Sequence, residues 1–132
     1  MKALARVPAA EGIAAMQSIN VVVLNWSFLG LFMGTAVVSV LIAIIAVSGW
    51  GAPAAPLWLA GAVAYLLGTI AVTAFGNVPL NNRLAAASAV DPETIELWSH
   101  YLDRWTQLNT LRTLAATGAA LMFVIGLMRQ SA

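Results

Sequence analysis

Apolar and polar positions divide this chain into long apolar stretches separated by short polar ones. Residues 12–82 carry no charged side chain, and within them two runs of about twenty residues, 27–47 and 57–76, are dominated by aliphatic side chains. A helix rises about 1.5 Å per residue, so such a run crosses a hydrocarbon core of about 30 Å. The pattern predicts two membrane-spanning helices here.

Short breaks bound these two spans. Residues 49–56 combine glycine, proline and Trp50 and contain no charge, which predicts a tight turn at the membrane interface. At 77–83, three asparagines, Pro79 and Arg83 stand together, and we call this segment the polar corner. Proline lacks an amide donor and crowds the preceding turn, so we expect the second span to end or kink sharply at Pro79.

Two further helices are predicted outside this region. Residues 9–20, after Pro8, form a short alanine-rich segment that suits a helix lying at the membrane surface. Asp91 and Pro92 provide a helix start, and nothing interrupts the pattern from 93 to 128. We therefore expect an all-α membrane bundle with three transmembrane helices, an N-terminal interfacial helix and a long last helix.

Two glycines in the first span predict close packing against a neighbouring helix. Gly30 and Gly34 form a G-x-x-x-G pair, which lets a neighbouring helix backbone approach closely.

Aromatic and polar side chains share one face of the last helix. At 100° per residue, five of them fall within an arc of about 80°. These residues are Trp98, Tyr101, Trp105, Asn109 and Arg112. The only histidine, His100, lies on the opposite side. The topology brings this stripe to the membrane face that holds Asn20 and the polar corner, where we expect a candidate binding site.

Arg112 stands at the start of a charge-free run that ends at Arg129, which places it near a membrane surface. Two interpretations remain open: the side chain anchors the helix among lipid headgroups, or it faces inward towards the polar corner. Five basic residues fall on the side of the amino terminus: Lys2, Arg6, Arg83, Arg104 and Arg112. By the positive-inside tendency, the N-terminus and residues 77–108 are cytoplasmic, the C-terminus is outside, and the protein lies in the inner membrane.

Composition supports this class and excludes others. The 132 residues are 61% hydrophobic and 8% charged, whereas about 25% is charged in ordinary soluble domains. The length fits a single domain, 1–132. The absence of cysteine excludes disulfides, thiol catalysis and thiolate metal sites, and a net charge of +1 gives no basis for nucleic-acid binding. We expect neither metal nor cofactor.

Four motifs resemble the bacterial branch of the anthrone-oxygenase-like membrane family. They are A-M-Q-S-I-N at 15–20, N-V-P-L-N-N-R-L-A at 77–85, W-x-x-Y-x-x-x-W from Trp98, and N-x-x-R-T from Asn109. The resemblance implies a cofactor-free oxygenase acting on a flat aromatic, polyketide-like substrate. It also implies a substrate-binding set of Asn77, Asn81, Trp98, Tyr101, Trp105, Asn109 and Arg112, with Asn20 and Arg83 in secondary positions.

Two departures from the family pattern bear on function. Family members usually begin with one more membrane helix, and this sequence starts about where their first loop would be, so either its start site is assigned too late or the protein is a three-span variant. They also often carry Trp-Asn-His before the arginine, where this chain has Leu108, Asn109 and Thr110. The missing histidine removes a candidate for proton transfer, and no catalytic residue is assigned.

Three functions stay open at this point. The chain is an oxygenase on an aromatic substrate, or a non-catalytic helix bundle whose polar residues only pack helices, or a binder of a lipid-soluble molecule or partner subunit for another membrane protein. In the last case, a second copy or a partner would fill the place of a missing first helix. A cavity lined by Trp105, Asn109, Arg112 and Asn77 would favour ligand binding, and close packing there would favour the structural role.

Overall fold

The computed structural model describes residues 1–89 and 91–130. Within this part of the chain all regular structure is helical, with no strand. A short 3₁₀ turn, Leu4–Arg6, precedes four helices. These are α1 (Ala9–Val22), α2 (Trp26–Ser48), α3 (Ala55–Ala85) and α4 (Pro92–Gln130). The last three are long and apolar enough to cross a membrane.

The predicted all-α architecture is therefore confirmed, with three span-like helices and a long last helix. Helix α2 begins where the Asn25 side chain accepts a hydrogen bond of 3.0 Å from the Phe28 amide, and it ends at Gly49. An asparagine cap of this kind satisfies an amide that the first turn leaves free. The predicted link after the polar corner ends at Val90, which lies outside the described residues, as does the chain end at 131–132.

The sequence predicted that the second span ends or kinks sharply at Pro79. The predicted end is wrong, because α3 continues through the polar corner to Ala85. Its middle is wound as a π-helix at Leu66–Ala71 and again at Thr73–Asn77. The Val78 amide bonds to the Thr73 carbonyl five residues earlier. In a regular α-helix the Pro79 ring would crowd the Phe75 carbonyl. The wider turn relieves this conflict, and the helix continues.

Helix α3 is the centre of the bundle, and α2 and α4 both pack against it. Tyr65 on α3 donates a hydrogen bond of 3.0 Å to the Phe32 carbonyl of α2. Across the other interface, Thr69 Oγ1 lies 3.4 Å from the Arg112 carbonyl that accepts its hydrogen bond. A buried cluster of Ala36, Tyr65 and Ala119 joins the three helices. Small side chains here let the backbones approach closely.

Helix α1 closes the polar end of the bundle. Ile13 and Met16 pack in a buried cluster with Leu80, Leu84, Trp98 and Tyr101. The Gln17 amide donates hydrogen bonds of 2.8 Å and 3.0 Å to the carbonyls of Leu84 and Ala87. These carbonyls stand at the end of α3, where the regular helix bonds stop, and the Leu84 carbonyl also accepts a hydrogen bond of 3.2 Å from the Ala87 amide. Gln17 therefore fixes α1 to α3 by capping it.

The G-x-x-x-G pair of α2 is not used for packing within the chain. A Cβ atom placed at Gly30 or at Gly34 would meet nothing within 4 Å. Both glycines are exposed on the side of α2 away from the α3 interface.

Gly68 lies where α3 packs against α4, and its substitution tests how tightly the two helices pack. A Cβ atom at Gly68 would overlap the Ala115 side chain, whereas one at Gly118 on α4 would meet nothing within 4 Å. We expect Gly68→Ala to lower the unfolding free energy in detergent by about 1–3 kcal/mol, because the helices must separate.

The control, Gly118→Ala, should be neutral or stabilising by up to about 1 kcal/mol, since alanine favours the helix. Unfolding by sodium dodecyl sulfate, followed by circular dichroism, measures both. Equal effects at the two positions would contradict close packing at Gly68.

Candidate functional site

The aromatic stripe of α4 faces into the bundle at the polar end. Trp98 and Tyr101 are 5% and 0% exposed, and their rings stack with centroids 5.6 Å apart and planes at 15°. Trp98 also packs against α1, where a Cβ atom at Gly12 would lie 2.9 Å from the indole. The first two residues of the predicted stripe are therefore held by packing on both sides.

Hydrogen bonds join part of the predicted set into one cluster. Tyr101 donates its hydroxyl hydrogen to Asn81 Oδ1 at 2.8 Å, and Trp105 Nε1 donates to the same oxygen at 3.1 Å. Asn20 Nδ2 donates to the Tyr101 hydroxyl at 3.3 Å. We call Asn20, Asn81, Trp98, Tyr101 and Trp105 the amide–aromatic cluster. It links α1, α3 and α4, and its buried donors have partners.

Asn77 lies just before this cluster on α3 and behaves differently. Its side chain is 2% exposed, and neither Oδ1 nor Nδ2 has a hydrogen-bond partner among the described residues. A buried polar group left without a partner costs about 1–3 kcal/mol. Native structures keep few such groups, so each one calls for a specific explanation.

Arg112 is the second side chain with an unsatisfied buried atom. Its Nε is buried without a hydrogen-bond partner among the described residues. The guanidinium carbon lies 5.8 Å from the centre of the Phe32 ring on α2, which is a cation–π distance. The side chain therefore points into the bundle rather than to the lipid headgroups, and its aromatic neighbour is on α2 rather than at the polar corner.

Asn109 lines an open cleft next to the cluster. The cleft has a volume of about 440 Å³ and includes Trp105, Met16, Ile19 and Lys2 among its walls. It lies between the N-terminal segment and α4, and Asn77 and Arg112 are not among its lining residues. The structure thus brings Asn109 and Trp105 to an accessible surface, while the two unsatisfied side chains lie deeper.

Arg83 does not join this group. It is exposed and lines a separate surface depression with Asp91 and Glu93 at the start of α4.

Sequence reasoning missed three residues that shape the site. Phe32 receives the Arg112 guanidinium, Phe28 stacks on Phe32 with centroids 5.6 Å apart, and Gln17 caps α3. The two phenylalanines had no distinguishing signal, because an aromatic residue in an apolar span is ordinary. Gln17 did carry a signal, since it lies inside the A-M-Q-S-I-N motif at 15–20, but its capping role did not follow from the sequence.

This arrangement suits binding more directly than proton transfer. Aromatic faces, amides and one guanidinium offer stacking surfaces and hydrogen-bond donors for an oxygen atom. The titratable side chains His100 and Asp103 are exposed. Within the part of the chain that the structure describes, no group of three histidine, cysteine or acidic residues is placed to hold a metal ion.

Asn81 is predicted to couple Tyr101 and Trp105 energetically. Asn81→Leu leaves the buried Tyr101 hydroxyl and the half-buried Trp105 Nε1 without an acceptor, so we expect a loss of about 1–3 kcal/mol in unfolding free energy. In that background Tyr101→Phe should cost less than it does in the wild type, because its partner is already gone. Unfolding of the four proteins in detergent gives this coupling energy.

The neighbouring Asn82 is exposed and provides the control. Asn82→Leu should change stability by less than about 0.5 kcal/mol. Additive effects of Asn81→Leu and Tyr101→Phe would argue against a shared hydrogen bond.

Comparison with known proteins gives one family. A sequence model described as anthrone oxygenase matches residues 24–122 of the chain. No curated protein and no solved structure matches. The matched range contains α2, α3 and the part of α4 that carries the aromatic stripe and Arg112. Since the match covers well over half of the sequence, this protein belongs to the anthrone oxygenase family.

Proposed function

We propose that this membrane protein binds a flat aromatic, polyketide-like small molecule at the polar end of its bundle. The observation that carries the proposal is the pair of unsatisfied side chains: the Asn77 amide, buried with both polar atoms unpaired, and the Arg112 guanidinium with an unpaired buried Nε. A ligand oxygen would accept hydrogen bonds from Asn77 Nδ2 and Arg112 Nε, and a ligand hydroxyl would donate to Asn77 Oδ1.

The charge on Arg112 indicates what kind of oxygen suits the site. Among the described residues its guanidinium forms no ion pair, and its neighbour is the Phe32 ring. A cation in a membrane-spanning helix is costly and marks a functional site by default. An enolate, phenolate or acidic hydroxyl would compensate the charge, and a hydrogen bond to a charged group contributes about 1.5–3 kcal/mol.

Binding requires a local opening, because the unsatisfied atoms are buried. The cleft at Trp105 and Asn109 is open, with a volume of about 440 Å³ that falls within the usual range of about 300–1,000 Å³ for ligand sites. Asn109 and Arg112 are three residues apart, so they are neighbours on α4. A rotation of the Arg112 side chain towards Asn109 would join the buried groups to this cleft.

Family membership supports an anthrone as the substrate class. An anthrone carries a methylene group that loses a proton to give an enolate, which then reacts with oxygen to form a carbonyl group and water. We assign Arg112, with Asn77 and Asn109, to stabilising that anion. Trp105 and Tyr101 offer the aromatic surface. The proton acceptor is left unassigned, since no carboxylate or imidazole belongs to the amide–aromatic cluster.

A second candidate function is that of a non-catalytic helix bundle or partner subunit. The amide–aromatic cluster favours it, because Asn81 accepts both the Tyr101 and the Trp105 hydrogen bonds without any ligand. Side-chain hydrogen bonds between membrane helices contribute about 0.6 kcal/mol on average and up to about 1.7. In this case a second copy or another membrane protein would cover the exposed faces of α2.

We also propose an orientation in the inner membrane. Lys2, Arg6, Arg83 and Arg104 lie at the polar end of the bundle, and Arg129 lies at the far end of α4. The excess of lysine and arginine at the polar end supports an N-terminus and residues 77–108 on the cytoplasmic side, with the C-terminus outside.

Ligand binding is tested in nanodiscs with a dihydroxyanthrone, using anthracene as the probe without an acidic oxygen. We expect Arg112→Gln to weaken dihydroxyanthrone binding by about 10–100-fold, corresponding to the loss of a charged hydrogen bond. Anthracene binding should change little. Equilibrium titration against empty nanodiscs measures both dissociation constants.

Asn77→Leu separates the ligand function from the packing function. If the Asn77 amide serves a ligand, leucine removes two unsatisfied atoms, so unfolding stability should stay equal or rise while dihydroxyanthrone binding weakens about tenfold or more. A loss of stability with unchanged binding would support the packing function instead. Failure of the wild type to bind would overturn the proposed function.

Oxygenase activity is tested separately from ligand binding. Incubation of the purified protein with an anthrone should give oxygen-dependent formation of the corresponding quinone, and Arg112→Ala should lower the rate by about 100-fold, in the range seen on loss of one anion-stabilising donor. Circular dichroism confirms that the variant is folded. Binding without turnover would leave the protein a ligand-binding member of the family.

A further inference from the structure

A groove runs along the outer face of α4 at the polar end of the bundle, beside the N-terminal segment. It has a volume of about 640 Å³, and its walls are Lys2 with its neighbours on one side and α4 residues between Leu102 and Leu114 on the other. Asp103 lines the groove, and at 100° per residue it lies on the opposite side of α4 from Arg112. The groove is therefore separate from the unsatisfied side chains of the proposed ligand site.

The groove changes from polar to apolar along the axis of α4. Asp103 and Gln107 are exposed at one end, and Leu111 and Leu114 are 49% and 67% exposed at the other. The rise from Asp103 to Leu114 is about 16 Å. Because the charge-free part of α4 begins after Arg112, the leucine end would face hydrocarbon and the aspartate end the lipid headgroups. This order of polar and apolar surface matches that of a phospholipid.

The polar end of the groove presents charges of both signs. The Lys2 ammonium and the Asp103 carboxylate both line it, and among the described residues neither forms an ion pair. Gln107 Oε1 accepts a hydrogen bond of 3.3 Å from Arg104, and the Gln107 amide hydrogens have no acceptor among the described residues. The groove thus offers a cation and amide donors to a phosphate, and a carboxylate to an ammonium group.

We propose that this groove binds phosphatidylethanolamine, a zwitterionic phospholipid with a primary amine. Its phosphate accepts hydrogen bonds from Lys2 and Gln107, and its ammonium donates to Asp103. One acyl chain lies along Leu111 and Leu114. Two other headgroups match these charges less well. Phosphatidylglycerol brings an anion towards Asp103 without a cation to offset it, and the quaternary amine of phosphatidylcholine has no hydrogen to donate.

Asp103→Asn tests the contact that selects the headgroup. The purified protein is titrated with dioleoyl forms of the three lipids, and native mass spectrometry measures each dissociation constant. We expect the wild type to bind phosphatidylethanolamine about fivefold more tightly than either other lipid, as suits an exposed ion pair. Asp103→Asn should bring the three constants within about twofold of one another. Lys2 is less suited to a test, because it also lines the cleft at Asn109.

Asp91→Asn is the matched control, since it removes the same charge from an exposed aspartate at the start of α4, outside the groove. It should keep the wild-type preference. Asp103→Lys should make phosphatidylglycerol the tightest of the three lipids, a gain that misfolding cannot produce. Equal constants for the wild type, a wild-type preference for either other lipid, or a preference that Asp103→Asn leaves unchanged would overturn the assignment. So would an equal loss of preference in Asp103→Asn and Asp91→Asn.

Discussion

The structure depends on one constraint: in lipid, backbone donors and acceptors must be satisfied inside the protein, and the turn before Pro79 is where this is hardest. The π-helical turns of α3 satisfy this constraint, because the Val78 amide donates its hydrogen bond to the Thr73 carbonyl. At the end of α3, the Gln17 amide donates hydrogen bonds to the carbonyls of Leu84 and Ala87. These two devices let a proline-containing helix run through the polar corner. Wide turns of this type often occur at functional sites.

The continuous α3 has a direct consequence for the polar side chains. Because the helix does not stop at Pro79, Asn81 stays on the same helix as Asn77, one turn later, and faces α4. There it accepts hydrogen bonds from Tyr101 and Trp105, while Asn77 finds no partner. Similar amides thus take different roles. The satisfied Asn81 stabilises the contact of α1, α3 and α4, and the unsatisfied Asn77 is the residue on which the proposed ligand site rests.

Arg112 connects this polar end to the interior of the membrane region. It is a helix neighbour of Asn109, which lines the open cleft, and its guanidinium lies over the Phe32 ring of α2. An arginine keeps its charge under all physiological conditions and presents a planar group that also stacks on aromatic rings. These properties suit a ligand that is flat, soluble in lipid and acidic at one oxygen. The proposed ligand has this chemistry, and the chain belongs to the anthrone oxygenase family.

The sequence alone determined the helical class, the three span-like helices and the face shared by Trp98 and Tyr101, because hydropathy and helical periodicity are local properties. It did not determine the course of the chain at Pro79, where the local preference for a break is outweighed by the gain from burying Leu80 and Leu84 against α1. The tertiary structure also decided which polar groups are satisfied. A hydrogen bond between Asn81 and Tyr101 depends on the distance between two helices, and no local pattern specifies that distance.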